Sequence, residues 1–351
     1  GAGIEISAKS TDLDNTTVEL NQVHNNGSIN VSGGKSTGSG IELNAFSWLD
    51  SGSYSNGGVS TVEANTVTNT SAYSINVSGA YSHGISLEAN TTGDVYGNDD
   101  AYSYGGNSEV DSNLVTNTGS ITTDGEDSNG INLLANASAY AQADDNEYVY
   151  ANAFGGTADV DDNRVTNSDW IMTGEDDSHG ISLTADASAE AHSYYAFGAD
   201  SWAEGGDADV DRNTISHSGH IETYGYNSNG INVEADASAN ALAGEDNFFS
   251  GPNYVTNAYA SASGGDAFAQ SNQIEVDISG GIATYGHSSN AISVSADASA
   301  TALAFGEDSG SGTARAVSYA FASDESAGVH LNTISNDGEL RTHGEDSSAI
   351  I

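Results

Sequence analysis

Carboxylates are the groups best placed to do chemistry in this 351-residue chain, which carries 50 Asp and Glu against 6 Lys and Arg. They gather in two kinds of place. Short polar turns hold Glu126-Asp127, Glu175-Asp176-Asp177 and Glu345-Asp346, while Asp159, Asp161 and Asp162, and likewise Asp209 and Asp211, sit around small and apolar residues. If equivalent residues stack at a strand spacing of about 4.8 Å, like charges face one another along the stack. That repulsion is relieved either by a bound cation, for which oxygen-rich clusters suit Ca²⁺, or by solvation and salt screening. The spacing alone does not choose between the two. Neither an EF-hand loop nor the glycine-and-aspartate nonapeptide of calcium-binding β-rolls is present. The candidate Ca²⁺ ligands are therefore Glu126, Asp127, Glu175, Asp176, Asp177, Asp159, Asp161, Asp209 and Asp211.

Other chemistries find less support. Among so many acids, paired carboxylates arise by chance and say little about glycoside hydrolysis. The 9 histidines are scattered. His83 and His179 fill a turn position held elsewhere by Asn129, Asn229 or Ser39, which reads as tolerance at a surface. Lys9, Lys35, Arg164, Arg212, Arg315 and Arg341 form no cluster, although Arg164 and Arg212 fall one residue apart in repeat register. A lyase acting on acidic polysaccharide would need such a cluster. The formal charge of -44 disfavours nucleic acid and anionic membrane surfaces as partners. No apolar run reaches membrane-spanning length, and the absence of cysteine excludes disulfides.

The elements that must position these groups repeat. Asn113 to Ala135, Asn163 to Ala185 and Asn213 to Ala235 share one pattern of spacing, looser copies start at Asn21, Asn65 and Asn332, and another spans Ile274 to Ala296. A fixed period of this size predicts a solenoid, since each unit buries its apolar face only by stacking on the next. Within one copy Asn163, Val165, Asn167, Ile171 and Thr173 share a parity, so an extended chain points them all inward. Gly174 to Gly180 then supplies glycines and short polar residues suited to tight or left-handed turns, after which Ile181, Leu183 and Ala185 resume the inward face. The asparagines read as ladder residues, each bonding its equivalent one coil away. His217 and Ile278 take the second asparagine's place in two copies.

Length variation is confined to one corner. From the closing Ala of each copy to the next opening Asn the gap runs 12, 19, 23, 27, 27, 36 and 35 residues. These inserts alternate Ala with polar residues, as in Ala185-Asp-Ala-Ser-Ala-Glu-Ala191, which predicts strands with a thin face. Alanine is also the best helix former. A period of two, however, would wrap the alanines all round a helix. The inserts are thus read as β-arms stacked coil on coil. Their aromatics, including Tyr148, Tyr150, Phe154, Tyr194, Tyr195, Phe197, Trp202, Phe248, Phe249, Tyr254, Phe305, Tyr319 and Phe321, are expected to pack arm on arm. Exposed ones would bind sugars or neighbouring molecules.

The string from Asn113 to Ile131, Asn-x-Val-x-Asn-x-Gly-x-Ile-x-Thr-x-Gly-x-x-Ser-x-Gly-Ile, resembles repeats in passenger regions of bacterial autotransporters and related surface adhesins. The resemblance covers the motif half of each repeat and not the arms. It implies a right-handed parallel β-helix exported to the cell surface, serving adhesion, aggregation or matrix building, with no catalytic motif to carry over. The combined expectation is an all-β protein: one parallel β-solenoid of about seven coils over residues 1–351, with stacked Ala-rich arms, beginning and ending mid-repeat. It would act outside the cell as an adhesin segment or a fibre subunit, with surface glycans as further partners. Because both ends fall within the same strand, Gly3 and Ile4 of one copy are expected to follow Ile350 and Ile351 of another. A β-helix enzyme acting on polysaccharide is the alternative.

Overall fold

The computed structural model describes residues 2–11, 15–32, 38–51, 53–70, 72–98, 100–144, 148–194, 198–244, 257–304, 317–323 and 326–351. Among these residues there is no helix. Every strand pairing between successive repeats is parallel, and the strands form five sheets, of which three hold 7 strands each. In the coils with long arms the chain contributes two successive strands to the 11-stranded sheet and one to each of the other four. Taking the coil that starts at Ile131, the order is Ile131–Asn136, Ala139–Asp144, Tyr148–Phe154, Thr157–Asp161, Arg164–Asn167 and Trp170–Thr173, and the next coil begins at Ile181. Register is kept without slippage: Ile131 pairs Ile181, Val160 pairs Val210 and Val165 pairs Ile215. Seven coils of stacked parallel strands result, an arrangement compatible with a β-solenoid.

Alternation decides what is buried. The expected inward set Asn163, Val165, Asn167, Ile171, Thr173, Ile181, Leu183 and Ala185 is almost fully enclosed. Equivalent residues of each coil join one continuous apolar core. The arms have a second core of their own, in which Ala139, Ala141 and Ala143 of the outgoing strand meet Val149, Ala151 and Ala153 of the returning one. Alanine makes both facing surfaces thin, so two sheets close on each other without large side chains.

Corners pose the harder problem, because there the backbone leaves the ladders. Non-glycine residues with positive φ form two columns at these corners. One comprises Leu20, Ala64, Ser112, Asp162, Arg212, Ser271 and Leu331, each directly before a ladder asparagine. The other comprises Tyr81, Asp127, Asp177, Asn227, Ser288 and Asp346. Within the Gly174 to Gly180 turn the left-handed residue is the short polar Asp177, as that composition allows, and not either glycine; positive φ among the described glycines occurs at Gly79 and Gly244. Gly130 serves a different purpose: a Cβ there would lie 2.3 Å from Ile171 Cγ2 and 2.6 Å from the Gly180 carbonyl oxygen, so the glycine permits close stacking of adjacent coils.

The asparagine ladder runs unbroken. Asn163 Oδ1 accepts from the backbone N–H and Nδ2 of Asn113 at 3.0 Å, while its own Nδ2 donates to the Val110 carbonyl at 2.7 Å and to Asn213 Oδ1 at 3.1 Å. The same pattern links Asn21 through Asn65, Asn113, Asn163, Asn213 and Asn272 to Asn332. The second ladder joins Asn25, Asn69, Asn117 and Asn167, then meets His217. In the following coil Val276 pairs with His217, so the inward replacement is Val276. Ile278, expected there, lies two residues further on at an exposed corner.

Replacing Asn163 by Ala would strip the buried Asn113 N–H of its acceptor and the Val110 carbonyl of its side-chain donor, a loss of about 2–6 kcal/mol at about 1–3 kcal/mol per group. Urea unfolding should show that loss as a lower midpoint, whereas Thr166→Ala on the outward side of the same strand should stay within about 0.5 kcal/mol of the parent.

Candidate functional site

The acid-bearing strand Thr157–Asp161 lies between Asn107–Asp111 and Asp207–Asp211 in one parallel sheet. Its inward residues Ala158 and Val160 are buried, so its acids occupy the outer face. Register then aligns Glu109, Asp159 and Asp209 in one column, and Glu63, Asp111, Asp161 and Asp211 in the next. The structure therefore does bring together Asp159, Asp161, Asp209 and Asp211. Burial, reinforced by Asp161, Asp209, Glu109 and Asp207, pushes Asp159 up to about 7. Asp161 is raised to about 6 by burial, against the opposing pull of Arg212. Asp209 and Glu109 are raised for the same first reason, burial.

A cation is already built into one end of this cluster. Arg212, at a left-handed corner, reaches Asp162 Oδ1 through Nε at 3.0 Å and Asp161 Oδ2 through Nη2 at 3.2 Å, and its Nη1 pairs with Asp211. The guanidinium stands where the sequence suggested a metal ion for Asp161 and Asp211. Arg164, its near neighbour in repeat register, belongs instead to the next strand, Arg164–Asn167, in a different sheet. Lys35 and Arg315 lie outside the described residues. Among the described residues Asp159 and Asp209 form no ion pair, although Arg212 pulls Asp209 downward from a distance, and the buried Oδ1 atoms of Asp209 and Asp211 accept no hydrogen bond.

The turn acids Glu126, Asp127, Glu175, Asp176 and Asp177 lie on two adjacent coils, linked by the Asp127 N–H donating to the Asp176 carbonyl at 3.1 Å. In the next coil Tyr226 and Asn227 replace the acids, and Asp176 Oδ1 accepts from the Tyr226 N–H at 2.7 Å. The acidic run along this corner is therefore short. Asp127 is raised by burial and then by Asp177 and Glu126. Among the described residues, no group of three or more His, Asp and Glu side chains is placed to hold a metal ion.

The histidines correct the sequence reading. His83 and His179 are not free surface residues; their Nδ1 atoms accept from the backbone N–H of Asn129 and Asn229 at 2.9 Å. Asn129 Oδ1 in turn accepts from the His179 N–H at 2.7 Å, and Asn229 Oδ1 from the Asn290 N–H at 2.8 Å. His and Asn alternate here because each offers one acceptor atom at similar reach. That shared chemistry was the signal available in the sequence. Burial lowers His179 and His217 to about 4, and also lowers His83 against the pull of Glu88. His217 accepts from Asn167 Nδ2 at 3.1 Å and donates through Nε2 to the Gly281 carbonyl at 3.2 Å, and burial keeps it neutral against the upward pull of that carbonyl.

A serine column went unnoticed as well. The backbone N–H of Ser128, Ser178 and Ser228 donates to the hydroxyl of Ser178, Ser228 and Ser289 respectively at 2.9 to 3.0 Å. Thr123, Thr173 and Thr223 brace the same turns from inside by donating to the Ser128, Ser178 and Ser228 carbonyls.

Aromatic residues stack along the axis on outer faces rather than across the arm core. Tyr104 and Phe154 stack with centroids 4.8 Å apart, and Tyr224, Tyr285 and His343 form a similar column at 4.8 Å steps. Tyr194 bonds His192 through its hydroxyl at 2.8 Å, and Tyr150 and Trp202 are exposed. Tyr195, Phe197, Phe248, Phe249, Tyr254 and Phe305 lie outside the described residues, as do the side chains of Tyr148, Tyr319 and Phe321. No protein-family model matches the chain, and neither a curated protein nor a solved structure is significantly similar to it.

The two titrating sets pull stability in opposite directions. A carboxylate raised from about 3.9 in the unfolded chain binds its proton more tightly when folded. Asp159 thus costs nothing at low pH and becomes destabilising as pH rises from about 4 through about 7. A histidine lowered from about 6.5 to about 4 costs nothing at neutral pH and destabilises as pH falls through that window. Melting curves should therefore show Asp159→Asn raising Tm at pH 8, with the difference vanishing by pH 4. His179→Asn, the residue that the same column uses in neighbouring coils, should raise Tm relative to the parent only below pH 6.

Proposed function

We propose that this protein is a right-handed parallel β-helix acting outside the cell as a rigid structural rod of a bacterial surface, of the adhesin-passenger or fibre-forming kind, and not as an enzyme. The observation that carries the reading is the division between inside and outside. Seven coils hold their inward residues in one register with few changes of type, His217 and Val276 among them, while outward residues change from coil to coil. A scaffold selected for length and display needs that division. An enzyme would need a few convergent groups departing from the repeat around a reacting centre, and the buried histidines are instead occupied as backbone acceptors. The resemblance of the Asn113 to Ile131 motif to autotransporter passenger repeats supports the same reading.

Edge pairing supplies the means of extension. The end coils have backbone edges that further coils of one polypeptide or a second copy can continue. Yet the ends do not simply abut. Ile350 bridges Ile292 in parallel, in the column that starts with Ile4 over Ile41. A second copy's Ile4 would need that same rung for its strand to pair with Ile292–Asp297. End-to-end association through Gly3, Ile4, Ile350 and Ile351 thus requires the stretch from Ala349 onward to leave its place, giving up the bonds between Ile292 and Ile351.

Negative-stain electron microscopy tests the rod. Seven coils span only about 34 Å along the axis at about 4.8 Å each, so straight rods many times that length are expected from end-to-end assembly, favoured by removal of Ser348 to Ile351, which frees the rung. Compact particles in both preparations would refute the reading. Running the melts with Ca²⁺ and with chelator decides the calcium expectation: a chelator-dependent fall in Tm, lost in Asp159→Asn or Asp177→Asn, assigns the ion to the outer-face column or to the turns. An unchanged Tm removes it.

A further inference from the structure

On the outer face of the sheet containing Trp170–Thr173, one coil interrupts two columns of long side chains. Register aligns Trp170, His220, Gly281 and Glu339 in one column and Met172, Glu222, Ala283 and Arg341 in the next. Gly281 and Ala283 share a coil. Where they sit, both columns lose their side chains at once, and a cavity of about 330 Å³ opens. Its floor is Gly281 and Ala283, one wall is His220 and Glu222, and the opposite wall is Glu339 and Arg341. The two walls belong to coils two strand spacings apart, about 9.6 Å between backbones. A ligand here replaces one missing rung of side chains, so it must be a slab roughly one rung thick.

The rim chemistry narrows the choice. Tyr285 lines one flank, and Trp170 backs His220 with ring centroids 5.5 Å apart. The His220 ring leans over Gly281, where a Cβ would lie 2.9 Å from its Nδ1 and push the ring aside. Glu222 accepts from the Tyr224 hydroxyl at 2.8 Å through Oε2, and its Oε1 engages no described residue. Arg341 bonds Glu339 Oε1 through Nε at 2.7 Å, leaving Glu339 Oε2 and Arg341 Nη1 without a described partner. Donors and acceptors thus ring a slot with aromatic surface beside it. Two carboxylates against one guanidinium leave a net negative charge, which rejects sialic acids, uronates and nucleotides.

We infer that this notch binds a single neutral hexose residue of a glycan, its hydroxyls bonded by Glu222, Arg341 and Glu339 and its C–H face set against the His220 ring, since both faces of Tyr285 are already stacked. Hexoses suit the slot because they combine a polar perimeter with apolar faces and carry no charge. The site departs from the repeat, which is what a specific function on a repetitive surface requires. The inference deepens the surface-rod reading by naming a ligand class. It is tested on isolated molecules in solution, so its failure would leave the rod, which microscopy judges, untouched.

The experiment is saturation-transfer NMR and titration of the 351-residue chain with methyl glycosides of glucose, galactose, mannose and N-acetylglucosamine. Sialyllactose and a tyrosine-bearing tripeptide serve as the competing classes. The expected result is saturable binding of at least one neutral glycoside, weakened at least tenfold by Ala283→Tyr, which fills the notch from an outward position and should leave Tm unchanged. Glu222→Gln and Arg341→Met should each weaken it several-fold. The inference fails if no neutral glycoside binds, if Ala283→Tyr binds as well as the parent, or if only sialyllactose or the peptide binds.

Discussion

Everything in this molecule depends on how a chain that turns a corner many times keeps its backbone polar groups bonded. Strand ladders satisfy the straight segments, but at each corner N–H and carbonyl groups face an apolar core. The buried asparagine solves this because one amide carries two acceptor positions and two donors. Asn113 spends its Oδ1 on nothing within its own coil: it accepts from the Asn65 backbone and side chain of the coil before, while its Nδ2 reaches Val62 and Asn163. Each ladder residue is therefore satisfied only when its neighbours are present. Coils are bound to one another by the same groups that shape them, and the left-handed residue before each asparagine is held in place by that bond.

The arms obey a different rule. They have alanine where the coil has isoleucine and leucine, and they bury less apolar area per residue, at about 25 cal/mol per Å². What compensates is backbone pairing along the axis. Tyr148–Phe154 pairs with Gly198–Glu204 over its full length, and that strand pairs in turn with Asn257–Ser263. An arm is thus an extension of its neighbours more than an element in its own right. Its outer faces are free to carry aromatic columns and charge, since neither contributes to the enclosed side.

Much of this was legible in the sequence because period and parity are geometric. Asn163, Val165 and Ile171 could face inward only together, and a repeat whose length varies at one corner must keep that corner outside. Two things were not legible. Parity says which face a residue occupies but not how high the backbone rises at a corner, so Ile278 was placed inside when the true inward residue is Val276. Residue type also misled where the chemistry was shared: His179 beside Asn129 and Asn229 looked like variation on a surface, yet the column demands one acceptor atom and is indifferent to what carries it. The acid columns were anticipated. The guanidinium among them was not, because Arg212 reaches Asp161 and Asp162 across a coil boundary that sequence distance hides.

A repeat protein separates two kinds of departure from its pattern, and their chemistry tells them apart. Inward departures are answered inward: His217 replaces an asparagine, and its two ring nitrogens are both taken, one by Asn167 and one by the Gly281 carbonyl. Nothing is left over for a ligand. Outward departures carry no such obligation, since an outward glycine or alanine frees space without orphaning a backbone group. Gly281 shows both sides at once, its carbonyl answering the buried imidazole while its missing side chain opens the outer face. The same residue answers the buried imidazole and interrupts the outer column, so the ladder closes at a coil where the surface opens.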